Sequence, residues 1–147
     1  MLYPIVLHIH SFLRYIALII LVYAVAYSFL GLYRKKPFFA KELKVSLITM
    51  IIFHTQLLFG LILYIMSPKV QFTREMFHTA LFRYFTIEHV FSMVIAIALI
   101  TIGYSMAKKQ IDGNGHKFIF YFYLIALLII LWAIPWPFKA ALGSGWI

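Results

Sequence analysis

The sequence predicts an all-α integral membrane protein: a four-helix bundle, up-down-up-down, forming one domain over residues 1–147. Three observations predict it. Hydrophobic residues make up 65% of the chain and charged residues only 12%, with a mean hydropathy of +0.97, too little charge to cover a water-facing surface of ordinary composition. The apolar residues fall into four runs, each long enough at about 1.5 Å per residue to cross a ~30 Å hydrocarbon layer. The charges gather in the short stretches between the runs, where lipid headgroups would receive them.

The first apolar run, Tyr15 to Tyr33, lies between Arg14 and the basic group Arg34, Lys35 and Lys36. Pro4 is acceptable in a first helical turn, so the helix is expected over 4–33. That is longer than the hydrocarbon layer requires, which brings His8, His10 and Arg14 to the interface or just inside it. No basic n-region precedes the run, so it reads as a retained helix and not as a cleaved leader. A second helix over 44–66 follows Lys41, Glu42 and Lys44 and stops at Ser67-Pro68, because the residue before a proline is disfavoured in the helical region. The connection from Ser67 to Arg83 has room for a short interfacial helix or for an early start to helix three.

Helix three is expected over 84–107, closed by Lys108-Lys109 and by Asp112-Gly113-Asn114-Gly115, a turn whose residues readily adopt positive φ. Helix four, 117–134, ends where Pro135, Trp136 and Pro137 take the chain out of the membrane, leaving 135–147 as an interfacial tail. With four crossings both termini share a side. The other side collects Arg34, Lys35, Lys36, Lys41, Lys44, Lys108, Lys109 and Lys117. By the positive-inside rule that side is cytoplasmic, which in a bacterial inner membrane places both termini at the periplasmic face. The net charge of +9 is therefore read as lipid-binding, and nucleic acid is not an expected partner.

The chain has no cysteine, which excludes disulfides, thiolate metal sites, iron–sulfur clusters and haem attached covalently through CxxCH. No Ser-His-Asp set, phosphate-cradling glycine loop or paired-carboxylate site supports hydrolysis or phosphoryl transfer. Ionisable residues within the apolar runs are the remaining signal, because a charge at the bilayer centre costs about 2.5 kcal/mol or more. Helix one offers His10 with Arg14 one turn on, helix two offers His54, and helix three offers Glu88 and His89 with Arg83 just before. Counted from the basic end, His10 and His89 lie near the outer face and His54 nearer the midplane. The face of His10 continues through Arg14, Ala17, Leu21, Ala24 and Ser28, and that of His89 through Ser92, Ala96 and Gly103.

Two imidazoles at one height, on faces lined by small residues, suit the axial positions of a b-type haem, with Arg14 or Arg83 pairing a propionate. The same pattern also suits close helix packing with histidines that bond headgroups. His54 becomes a competing iron ligand if helix two starts as early as Phe38. Glu88 beside His89 offers a proton-relay or quinone-site pair. His8-x-His10 and the dispersed Met50, Met66, Met76, Met93 and Met106 leave a copper-handling alternative. His78 and His116, at helix ends, are expected to be solvated.

The strings His8-Ile9-His10-Ser11-Phe12-Leu13-Arg14-Tyr15, Phe53-His54-Thr55-Gln56-Leu57-Leu58-Phe59-Gly60-Leu61-Ile62-Leu63-Tyr64 and Arg83-Tyr84-Phe85-Thr86-Ile87-Glu88-His89 resemble a family of small four-helix membrane proteins of Bacteroidota labelled "cytochrome b". So do Ile102 to Lys109 and the ending Ile134-Pro135-Trp136-Pro137-Phe138-Lys139 with Gly145-Trp146-Ile147. The resemblance covers most of the chain and implies haem and electron transfer. A more distant likeness is to one four-helix half of haem A synthase, whose His-x-x-Gln-x-x-Leu-Gly type pattern the stretch His54 to Gly60 resembles. It is partial, because helix four contributes a ligand in those halves and has no membrane-embedded histidine here. These readings imply a b-type cytochrome-like protein passing electrons, with a quinone or a respiratory complex as partner. The competing class is a non-catalytic subunit or scaffold packed against a larger membrane complex.

Overall fold

A computed structural model describes residues 2–111 and 113–142. Helix one spans Leu2–Tyr33, helix two Ala40–Met66, helix three Ala80–Lys108 and helix four Gly115–Ala133, and all four are long and apolar enough to cross a membrane. A one-turn helix, Glu75–His78, lies in the connection between helices two and three, and a 3-10 turn, Ala140–Leu142, follows helix four. Each helix packs on the next in sequence, and helix one closes the ring against helix four. Short connections enforce this antiparallel order. The expected interfacial tail is described only as far as Leu142, and its residues 143–147 lie outside the described part.

The helices start earlier than their hydropathy predicts, for local reasons. Helix two begins at Ala40 because Glu42 Oε2 accepts the backbone N–H of Phe39 at 3.0 Å, closing one of the orphan amides of the first turn. Tyr27 Oη, from helix one, donates to the other oxygen of the same carboxylate at 3.1 Å, so a charged residue caps the helix while only 7% exposed. Helix three begins at Ala80, as the longer of the two expectations for that connection, but its ladder is not uniform. Residues Tyr84–Glu88 form a π turn between two α-helical stretches.

The basic half of the bundle is closely packed. Ala17, Leu21, Ala24, Ala96, Ile100, Ile119, Tyr123 and Ala126 are all buried to within 1%, so the small-residue faces of His10 and His89 do serve helix packing there. A Cβ at Gly103 would lie 2.7 Å from Phe122 Cβ, and one at Gly31 would lie 2.3 Å from the His116 ring. His116, expected to be solvated, is buried at the start of helix four, edge-on to Phe38 with ring centroids 5.1 Å apart. Tyr123 Oη crosses the core to donate to the Ser46 carbonyl at 2.9 Å. Large apolar side chains such as Ile19, Phe91, Leu128 and Ile65 cover the outside, where acyl chains and not water would meet them.

Gly103→Val is expected to lower stability in detergent by about 1–3 kcal/mol, because Phe122 Cβ is attached to backbone and cannot turn away. Ala98→Val, on the lipid-facing side of the same helix, is expected to change it by less than ~0.5 kcal/mol. Equal losses in a denaturant titration of the two variants would contradict this packing.

Candidate functional site: a cavity at the outer end of the bundle

At the end away from the basic connections the helices part around a cavity of about 220 Å3, and His10, Arg14, Gln56, Gly60, Tyr64 and His89 are among the residues that line it. Most of the wall is apolar, with Leu18, Phe53, Val90, Met93 and Ile97 as its floor and sides. The floor lies where the small-residue packing ends. Counted from the basic ends of their helices, Arg14 and His89 stand about 28 Å up and His10 about 35 Å. By this count the cavity lies near the boundary of a hydrocarbon layer of ~30 Å, on the side away from the basic connections, where apolar walls and polar groups can coexist.

His89 is fixed by the end of helix four. Its Nδ1 lies 2.8 Å from the carbonyl oxygen of Ala133 and must donate there, which leaves Nε2 as the nitrogen with a free lone pair. Tyr84 Oη donates to the same carbonyl. That carbonyl belongs to the last helical turn and would otherwise lack a partner. The two donors are five residues apart, about 140° around a regular α-helix; the π turn between them brings both to one side, with their rings 5.8 Å apart. Within the turn the Thr86 carbonyl accepts from Tyr64 Oη of helix two at 2.9 Å. Thr86 Oγ1 accepts the Gln71 N–H at 3.0 Å and so ties the long connection to the turn.

His10 is held differently. Gln56 Nε2 donates to the His10 carbonyl at 2.9 Å and reaches the His10 ring Nε2 only at 3.4 Å, a long contact for a hydrogen bond. The ring lies over Gly60, where a Cβ would come within 3.2 Å of it. His10 Nδ1 and Gln56 Oε1 are both buried and have no partner among the described residues. One turn deeper, Arg14 Nη2 donates to Tyr15 Oη at 3.0 Å and the guanidinium stacks on that ring at 4.8 Å.

Of the residues singled out in the sequence, the structure thus brings His10, Arg14 and His89 together and leaves the others apart. His54 is exposed on the lipid side, in a shallow groove with Met50, Thr55 and Thr101, and its Nδ1 donates to the Met50 carbonyl at 2.9 Å. Helix two does start near Phe38, yet His54 turns away from the cavity, because Gln56, two positions on, takes the inner face. Arg83 Nε binds Glu88 Oε1 at 2.7 Å outside the cavity, so Glu88 pairs with arginine and not with His89. His8 is exposed on the far side of helix one from His10. Among the described residues no three His, Cys, Asp or Glu side chains approach closely enough to hold a metal ion between them.

Gln56, Gly60, Tyr64 and Tyr84 were not singled out by the sequence. Gln56 and Gly60 are four apart and share a face with Ser67, a polar and small stripe along the second half of helix two, and that stripe is the signal that finds them. Comparison of the chain with family models, curated proteins and solved structures gives no match.

Tyr64→Phe removes the hydrogen bond between helix two and the Thr86 carbonyl and is expected to cost about 1–1.5 kcal/mol. Glu88→Gln breaks a partly exposed ion pair and is expected to cost less than ~1 kcal/mol. Unfolding midpoints of the two variants in one detergent rank them, and the reverse order would refute this account of the π turn.

Proposed function

We propose that the cavity holds a b-type haem, with His10 and His89 as its axial ligands and Arg14 beside a propionate, and that the protein carries electrons at the outer face of a bacterial inner membrane. The observation that carries the reading is the pairing of His10 and His89 on one cavity, from helices that stand diagonally in the ring. The donor chemistry fits. A histidine that ligates iron through Nε2 ordinarily gives its Nδ1–H to a backbone carbonyl or carboxylate, and His89 already does so. The apolar lining fits a macrocycle, and Arg14 lies one turn from His10 to meet a carboxylate. Haem, when bound, supplies a one-electron couple whose potential the axial ligands and their hydrogen bonds tune.

The space fits only after adjustment. About 220 Å3 is less than the ~300–1,000 Å3 of pockets that enclose drug-sized ligands, so the apolar side chains and the loosely held His10 ring have to give way. That volume favours a second reading, a quinone head group bound as substrate in its reduced, quinol form, whose two hydroxyls donate to His89 Nε2 and Gln56 Oε1. Both readings make the protein a redox component of the membrane, with a quinone or another respiratory subunit as partner. The basic connections then face the cytoplasm and the cavity the periplasm.

The absorbance spectrum of the purified protein separates them. The haem reading expects a reduced-minus-oxidised α band of a b-type haem, lost in His10→Ala and in His89→Ala and kept in His54→Ala, whose side chain faces lipid. A colourless, folded protein that binds a water-soluble quinol, with affinity at least ~10-fold weaker in His89→Ala, supports the second. Loss of the haem band on removing His54 would place the iron elsewhere.

A further inference from the structure

The two histidines have unequal surroundings. His89 Nδ1 has a fixed acceptor, while His10 Nδ1 is buried without one. Beside it, Gln56 Oε1 is a buried acceptor without a donor. A buried polar atom without a partner is destabilising, and two complementary orphans on neighbouring side chains mark an arrangement made for another position of one of them. Gln56 is the better anchored of the two. Its amide N–H is held at 2.9 Å by the His10 carbonyl, whereas the His10 ring has only the 3.4 Å contact and lies against a glycine that offers no side chain to block it.

We propose that Gln56 is the positioning residue for His10: the imidazole turns its Nε2 into the cavity to bind iron, and its Nδ1–H then donates to Gln56 Oε1. This rests on the haem reading. The amide keeps its N–H on the helix-one carbonyl throughout, so one side chain fixes both the backbone and the ring of the ligand. Gln56 does for His10 what the Ala133 carbonyl does for His89, and one turn of a ring satisfies both orphans. The glycine at 60 leaves that resting place open, since a Cβ there would come within 3.2 Å of the ring.

The test uses the full chain in detergent, titrated with haemin, with Gln56→Leu and the near-isosteric Gln56→Glu. Removing an outer partner of a ligating histidine typically weakens binding by 10–100-fold. Gln56→Leu is therefore expected to bind haemin about 10- to 100-fold more weakly and to raise the midpoint potential, because the ring loses an acceptor that makes it a stronger donor to ferric iron. Gln56→Glu, a stronger acceptor, is expected to shift the potential in the opposite direction and to keep the low-spin spectrum. A merely structural role would move both variants the same way. If the wild-type protein takes up haem through His10 and His89 while both variants leave affinity and potential unchanged, the role of Gln56 is overturned and the haem reading stands. If the wild type takes up none, the haem reading falls and this one with it.

Discussion

A lipid bilayer offers no water to a backbone carbonyl, and every departure from the regular helical ladder must find its own donor inside the protein. That constraint organises the end of this bundle away from the basic connections. The π turn at Tyr84–Glu88 disturbs the ladder of helix three just where the membrane core gives way to the headgroups. The Thr86 carbonyl is answered by Tyr64 from helix two, and the Ala133 carbonyl at the end of helix four is answered twice, by Tyr84 and His89. The donors come from across the bundle, so satisfying the backbone also ties three helices together. The histidine that meets the cavity is oriented as part of that settlement. A π turn is a common device at functional sites for this reason: it displaces side chains that a regular helix would keep on fixed faces.

The cavity exists because packing stops. Through the basic half, alanines and glycines let the helices approach around a few large buried side chains such as Leu21, Ile100 and Ile119, and Tyr123 reaches across to a backbone carbonyl. Above Arg14 the filling changes to leucine, valine and methionine around a histidine–glutamine pair, and these do not close the space. The transition separates a half that holds the protein together from a half free to carry polar groups imperfectly paired. Unsatisfied buried atoms are expensive in a low-dielectric surrounding, and the close packing beneath them supplies the stability that lets them persist.

Fold class, helix number and the buried faces of helices one and three were legible because each depends on composition and on a 3.6-residue period. His10 and His89 were paired by depth alone, which needs only a count along each helix. Three features were not legible. The outward turn of His54 depends on which face of helix two meets helix one, and a helix apolar all round does not reveal that; Gln56 and Gly60 mark the inner face instead. The burial of His116 depends on a contact with Gly31 and Phe38, residues far away in sequence. The pairing of Glu88 with Arg83, and of His89 with Ala133, follows from a π turn that no residue pattern announces.

The cavity is assembled from all four helices: His10 from the first, Gln56 from the second, His89 from the third and Ile130 from the fourth, whose Ala133 carbonyl holds His89 in place. No pair or triplet of them contains it. During synthesis the first three segments enter the membrane before the fourth exists, so His89 has no acceptor until the last helix is in place. Any ligand bound there reports a finished bundle, and its loading belongs to the end of biogenesis.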